Sequence, residues 1–177
     1  MISYDNKPLK ALSSDVEFTV EVYRQLLKTA LANYLLVTYR SIPWGERFLL
    51  WRNDCDYSLN RSLALGRIEE KEGLCSTFYV SPHSEFYNLF ERSQLDLLTS
   101  LLELGHDIGL HFDGDFYTTS SGTELHEQVH REANLLAQFV GVRPTAFSFH
   151  NPSAFHLTCE ADTCGGLINC YSRRFKI

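Results

Sequence analysis

A chain of 177 residues, 44% hydrophobic, 13% aromatic and 21% charged, has the makings of one globular domain with a sizeable core, and this balance excludes a disordered chain. A formal net charge of −6, with no basic stripe interleaved with aromatics, argues against nucleic acid as a partner. Apolar runs such as 95–104 are broken by Asp96, Thr99, Ser100 and Glu103; none approaches the roughly 20 apolar residues of a membrane span.

Residues 1–12 lack the charged-then-apolar order of a secretory signal. The expected location is therefore cytoplasmic, where thiols stay reduced. Five cysteines, an odd number, argue against a closed disulfide framework. Cys159, Cys164 and Cys170 lack the Cys-x-x-Cys spacing of common zinc sites, so incidental thiols are expected ahead of a structural zinc.

In chain order, Ser14 and Glu17 have capping-box spacing, and Tyr23, Leu26, Leu27, Ala30, Leu31 and Tyr34 follow at helical period, which predicts a helix over 16–33. Residues 35–39 and 48–52 read as short buried strands, the second running directly into Asn53-Asp54-Cys55-Asp56. A helix over 59–72 stops at Gly73, and 75–81 is the next strand. Ser93 with Asp96 opens a helix that ends at Gly105. Strand 106–112, helix 124–140, strand 146–150 and a strand-like stretch at 167–171 complete the series. Strands apolar on both faces, alternating with helices, predict an α/β fold with a parallel sheet or barrel and helices outside. Chemistry in such folds gathers at the carboxyl ends of the strands.

Polar residues accumulate at those ends: Asp54 and Asp56, then His111 with Asp113 and Asp115, then His150. Residues two apart in an extended chain share a face, so Asp54 and Asp56 can enter one cleft, as can His111, Asp113 and Asp115. Carboxylate oxygen and imidazole nitrogen suit a catalytic zinc or similar divalent ion, and a second carboxylate beside it can serve as general base. Singly, each has a plainer reading: Asp-x-Asp after a strand is often a turn or helix cap, with Ser58 nearby to share that role, and a lone histidine is commonly structural. His126 and His130, four apart on a helix, lack the glutamate of His-Glu-x-x-His and read as a solvated face. His83 and His156 have no supporting context.

The segments 50–57, 76–79 and 105–113, with Phe147-Ser148-Phe149-His150-Asn151-Pro152, together resemble the polysaccharide deacetylase family, the superfamily of chitin and peptidoglycan deacetylases. The resemblance spans about 16–175 and is nearest to a bacterial branch tied to surface polysaccharides. It implies a distorted (β/α) barrel in which a divalent ion, most simply zinc, helps to remove an N-acetyl group from a sugar. By motif matching, Asp54 falls on the general base, Asp56 on the first metal ligand and His111 on the second. The third-ligand position, a histidine in better-known members, is Asp115 here, which leaves Asp113, Asp115 and His150 as candidates. Family barrels continue beyond the point where this chain stops, with further strands and a late histidine acting as acid. The expectation is thus one domain over 1–177 with an incomplete barrel, and with His150 as the candidate acid or a contact to substrate or oxyanion. Exposed sheet edges would favour oligomers. A degenerate carbohydrate- or protein-binding relative is the alternative, and an unrelated metallohydrolase such as a phosphoesterase ranks third, having no phosphate-cradling glycine loop behind it.

Overall fold

The computed structural model describes residues 18–176. Helix α1 spans Val20–Asn33, and its N-cap is Thr19, whose hydroxyl accepts from the Val22 amide. It starts at Val20 rather than at Val16; Ser14 and Glu17, the expected capping pair, lie outside the described residues. Helix α2 (Leu59–Lys71) is capped by Ser58, which accepts from the Arg61 amide. Helix α3 (Arg92–Glu103) begins after Glu91 without a side-chain cap, so Ser93 lies inside the first turn instead of preceding it. There Arg92 reaches Asp96 at 2.8 Å, the i,i+4 pairing of an exposed helix face. Helix α4 (Gly122–Val140) opens two residues ahead of the expected Glu124, because Ser121 and Glu124 form a reciprocal capping box.

The expected strand 48–52 is divided at Trp51. Strand β2 (Phe48–Leu50) pairs in parallel with β1 (Leu35–Val37), and β3 (Arg52–Cys55) enters a separate, larger sheet. That six-stranded sheet has the order β3-β4-β5-β6-β8-β7, with β4 at Thr77–Val80, β5 at Asp107–Asp113, β6 at Ala146–His150, β7 at Thr163–Cys164 and β8 at Leu167–Asn169. Its pairings are parallel except for β7 with β8. The exception is a tight hairpin through Gly165 and Gly166, at φ +60° and +80°, a left-handed conformation that glycine adopts without steric cost. Alternation of strand and helix gave no notice of it. No described helix is long and apolar enough to cross a membrane.

Strand alternation sorts side chains onto two faces. Phe78 and Val80 of β4, Ile108, Leu110 and Phe112 of β5, and Phe147 and Phe149 of β6 join Leu59, Leu63, Leu98, Leu101, Leu125, Val129, Ala133 and Leu136 from α2, α3 and α4 in the main core. The opposite face carries Arg52 and Asp54, Tyr79, Gly109 and His111, and Ser148 and His150. At its lower part Tyr39, Tyr79 and Ala146 form a small cluster with Leu50, Cys170 and Phe175. Gly109 is required there, since a Cβ on it would meet the Tyr79 ring at 2.6 Å.

This second face is concave. Neighbouring strands lie about 4.8 Å apart, so β3 and β6, three strands removed, would stand roughly 14 Å apart in a flat sheet. Yet the Arg52 guanidinium donates to the Ser148 hydroxyl, and Asp56, just past β3, meets His150 at the end of β6. Direct contact requires the sheet to curl. Among the described residues no pairing joins β3 to β7, so the sheet is a curled arc and not a closed barrel.

Candidate metal centre and its cavity

The arc brings three strand ends together. Asp56 follows β3, His111 lies in β5 opposite Ser148, and His150 ends β6 opposite Asp113. Asp56 Oδ1 is 3.1 Å from His111 Nε2 and 3.4 Å from His150 Nδ1, and the two ring nitrogens are 3.2 Å apart. One ligand atom from each residue lies within 4.8 Å of the others, the group among the described residues that could hold a metal ion.

The electrostatics of this trio fit a cation. Asp56 Oδ1, the atom that faces both rings, is buried and satisfies no hydrogen bond, a state that costs free energy unless a ligand compensates it. Burial pushes the His111 imidazole below its usual range; the Asp54 and Asp56 carboxylates pull it back, and His150 lowers it. A neutral ring offers a lone pair, as metal binding demands. Asn151, next to His150, has φ +48°, uncommon for a residue with a side chain. Its Nδ2 sits 3.2 Å from His150 Nε2; with the amide turned so that its oxygen meets the ring, that oxygen accepts a hydrogen bond from Nε2–H and leaves the Nδ1 lone pair for the centre.

The remaining expected residues stand around this trio. Asp54 shares the concave face, and both its oxygens accept from Arg52 Nη2, at 2.8 and 3.0 Å. It borders a groove with Arg52, Arg61 and Leu65, which joins the main cavity through Asp56 and Tyr57. Asp113 and Asp115 line the main cavity but lie outside the converging trio; Asp113 Oδ1 accepts from the Asp115 amide at 3.0 Å, closing a turn. The cavity, about 600 Å³, is bordered by the trio's Asp56 and His150 and by the exposed aromatics Tyr57, Phe86 and Phe116.

Two residues, one lining this cavity and one buried behind it, were not singled out from the sequence. His83, on the loop after β4, stacks on Phe116 with centroids 3.6 Å apart. Its Nε2 lies 2.9 Å from Oε1 of Glu132, a carboxylate of α4 that is 1% exposed. The available signal was Glu132 itself, a charged residue on the stripe of Val129, Ala133 and Leu136. The other histidines have structural partners. His126 Nδ1 accepts from the Gly165 amide and His130 Nδ1 approaches the Gly165 carbonyl, so the pair clamps the β7–β8 turn instead of facing only solvent. His156, buried on Phe149, occupies space that Gly114 leaves free. All five cysteines are free thiols.

No family model matches the chain, and no curated protein matches it. Among solved structures, a family 4 carbohydrate esterase from Streptomyces lividans in complex with acetate is similar, with 16% identity and a TM-score of 0.42 over 68% of this chain. The chain spans 58% of the length of that esterase chain.

Proposed function

We propose that the chain is a metal-dependent hydrolase that removes an N-acetyl group from a sugar or a related amide in surface-polysaccharide metabolism. The observation that carries the reading is the convergence of Asp56, His111 and His150, three donors of zinc-binding type, with the buried Asp56 Oδ1 at their centre unsatisfied. These three residues would hold the ion, so His150 serves as third ligand and not as acid. Asp113 and Asp115 face the cavity from its rim. A divalent ion so held polarises an acyl carbonyl and lowers the pKa of a water beside it.

Asp54 is the general base in this reading, and Arg52 fixes its carboxylate from one side. The exposed rings of Tyr57, Phe86 and Phe116 at the cavity mouth suit the apolar faces of a sugar. A curled sheet with helices on its convex side is the arc that a deacetylase-type (β/α) barrel would contain. The bond from Arg52 to both Asp54 oxygens favours one other reading, a non-catalytic carbohydrate-binding relative in which Asp54 is a structural partner.

The test is acetate release from N-acetylated oligosaccharides by the purified chain with zinc, cobalt or nickel, alongside Asp54→Asn. The expected result is ion-dependent release that Asp54→Asn abolishes while ion affinity is kept. Sugar binding with no release, unchanged in Asp54→Asn, would establish the binding relative instead.

A further inference from the structure

A hydrolase of this kind needs a proton for its departing nitrogen, and none of the residues above is left to give one. We propose that His83, positioned by Glu132, is the acid that protonates the leaving group, an inference that rests on the hydrolase reading above.

Three observations meet at this pair. His83 borders the same cavity as Asp56 and His150, and its loop follows β4 at the sheet's site-bearing end. Its ring is fixed: Phe116 stacks on it at 11° between planes, and its backbone amide donates to Ser81 Oγ. With Nε2 turned to Glu132, Nδ1 is left for the cavity. Glu132 is the third observation. It is buried in the apolar stripe of α4, and neither oxygen meets good hydrogen-bond geometry, although His83 Nε2 is only 2.9 Å away and the Tyr117 hydroxyl lies close enough to act on it. A carboxylate so placed costs stability that leucine or glutamine would not. Its use is to hold a proton beside the imidazole.

The charges around the pair fit that use. Burial pushes the Glu132 carboxyl up to about 8, Tyr117 lowering it and Asp113 adding to the rise. Burial pushes the His83 imidazole below its usual range, against the pull of Asp113. The titratable and charged neighbours are Asp113 from β5 and Tyr117 from the loop after it, with Arg131 of α4 acting on Tyr117. Near neutral pH the pair is therefore neutral, with a proton on the Glu132 carboxyl facing Nε2 and a hydrogen on Nδ1. As the C–N bond breaks, its electron pair passes to nitrogen, which takes the proton from His83 Nδ1. Nε2 takes the proton of Glu132, leaving a carboxylate. The proton that Asp54 removes from the attacking water returns through solvent to restore the pair.

A leaving group that needs no proton isolates this role. His83→Ala should lose about 10²–10⁴-fold in kcat on an N-acetylated sugar, yet hydrolyse 4-nitrophenyl acetate, whose phenolate leaves unaided, within about twofold of the parent in the zinc-dependent rate. Equal losses on both substrates, or full turnover on the amide, overturn the proposal. If the parent cleaves neither substrate with zinc bound, the hydrolase reading itself fails and this inference falls with it. Glu132→Gln should lower kcat with little change in KM. It should also move the alkaline limb of the kcat profile to lower pH, since the limb then follows the imidazole alone. NMR titration of the His83 ring in the metal-free chain supplies a readout apart from turnover: the Glu132→Gln curve should shift from the parent's, and coincident curves contradict the pairing.

Discussion

The two ends of β5 treat their buried polar groups in opposite ways. Where the strand begins, His106 accepts from the Ser76 amide on Nδ1 and approaches the Gly66 carbonyl with Nε2. Glu69, fully buried beside it, accepts from Tyr23, Asn53 and Ser76 at 2.5, 2.9 and 2.5 Å. Where the strand ends, His111 Nε2, His150 Nδ1 and Asp56 Oδ1 crowd one point, and the buried Asp56 Oδ1 is left unsatisfied. Both ends are polar, and only one is closed. A polar knot whose members satisfy one another is an internal support, whereas one whose members crowd a common point without satisfying it is kept for a ligand.

Breaking the open end should show first in function. Asp56→Ala should lose more than the roughly 10–100-fold in ion affinity that follows loss of an outer partner, and acetate release should fall to the level of the metal-free chain. Urea unfolding of that metal-free variant should show no loss of stability, because an unsatisfied acceptor has been removed. Breaking the closed end should do the reverse. Glu69→Ala strands three donors, each worth about 1–3 kcal/mol when buried without a partner, so it should cost several kcal/mol in urea unfolding. Zinc affinity of the folded fraction should hold.

Glu132 lies between these cases, buried like Glu69 but unsatisfied like Asp56, and pH sharpens the comparison. Its folded pKa of about 8 exceeds the ordinary 4.5, so between those values the folded chain binds more protons than the unfolded one. Stability then falls as pH rises through that window. Glu132→Gln should flatten the fall, leaving the variant the more stable protein at pH 9 by up to about 5 kcal/mol. A parallel fall in both proteins would show that another group is responsible. The smallest effect is expected at the sheet. Gly109→Ala should cost about 1–3 kcal/mol by overpacking, since its Cβ meets the Tyr79 ring, and a neutral result in thermal unfolding would mean that the ring has room to move.

Much of this was legible along the chain. The bounds of β6 match the expectation residue for residue, and those of β5 differ by one. Both strands are apolar toward the helices, and the expected strand ends placed His111 and His150 at one end of the sheet. The third member of the trio was legible only as one of three candidates, Asp113, Asp115 and His150. Spacing along β5 directs attention to Asp113 and Asp115, whereas His150 arrives from the neighbouring strand because the sheet curls, and curl has no local signature. The β7–β8 hairpin was missed for a different reason: Gly165-Gly166 is a turn signal, but the strands beside it are too short to show alternation. His83 needed the fold to gain a partner, since Glu132 lies far along the chain.

The central claim is that Asp56, His111 and His150 hold one divalent ion. Isothermal titration of the metal-free chain with zinc tests it most directly, with Asp56→Ala, His111→Ala, His150→Ala, Asp113→Ala and Asp115→Ala titrated in parallel. The account predicts one site per chain, weakened by about 10²-fold or more in each of the first three variants and left within a few-fold of the parent in the last two. Parent-like affinity in His150→Ala, with binding lost in Asp115→Ala, would contradict it.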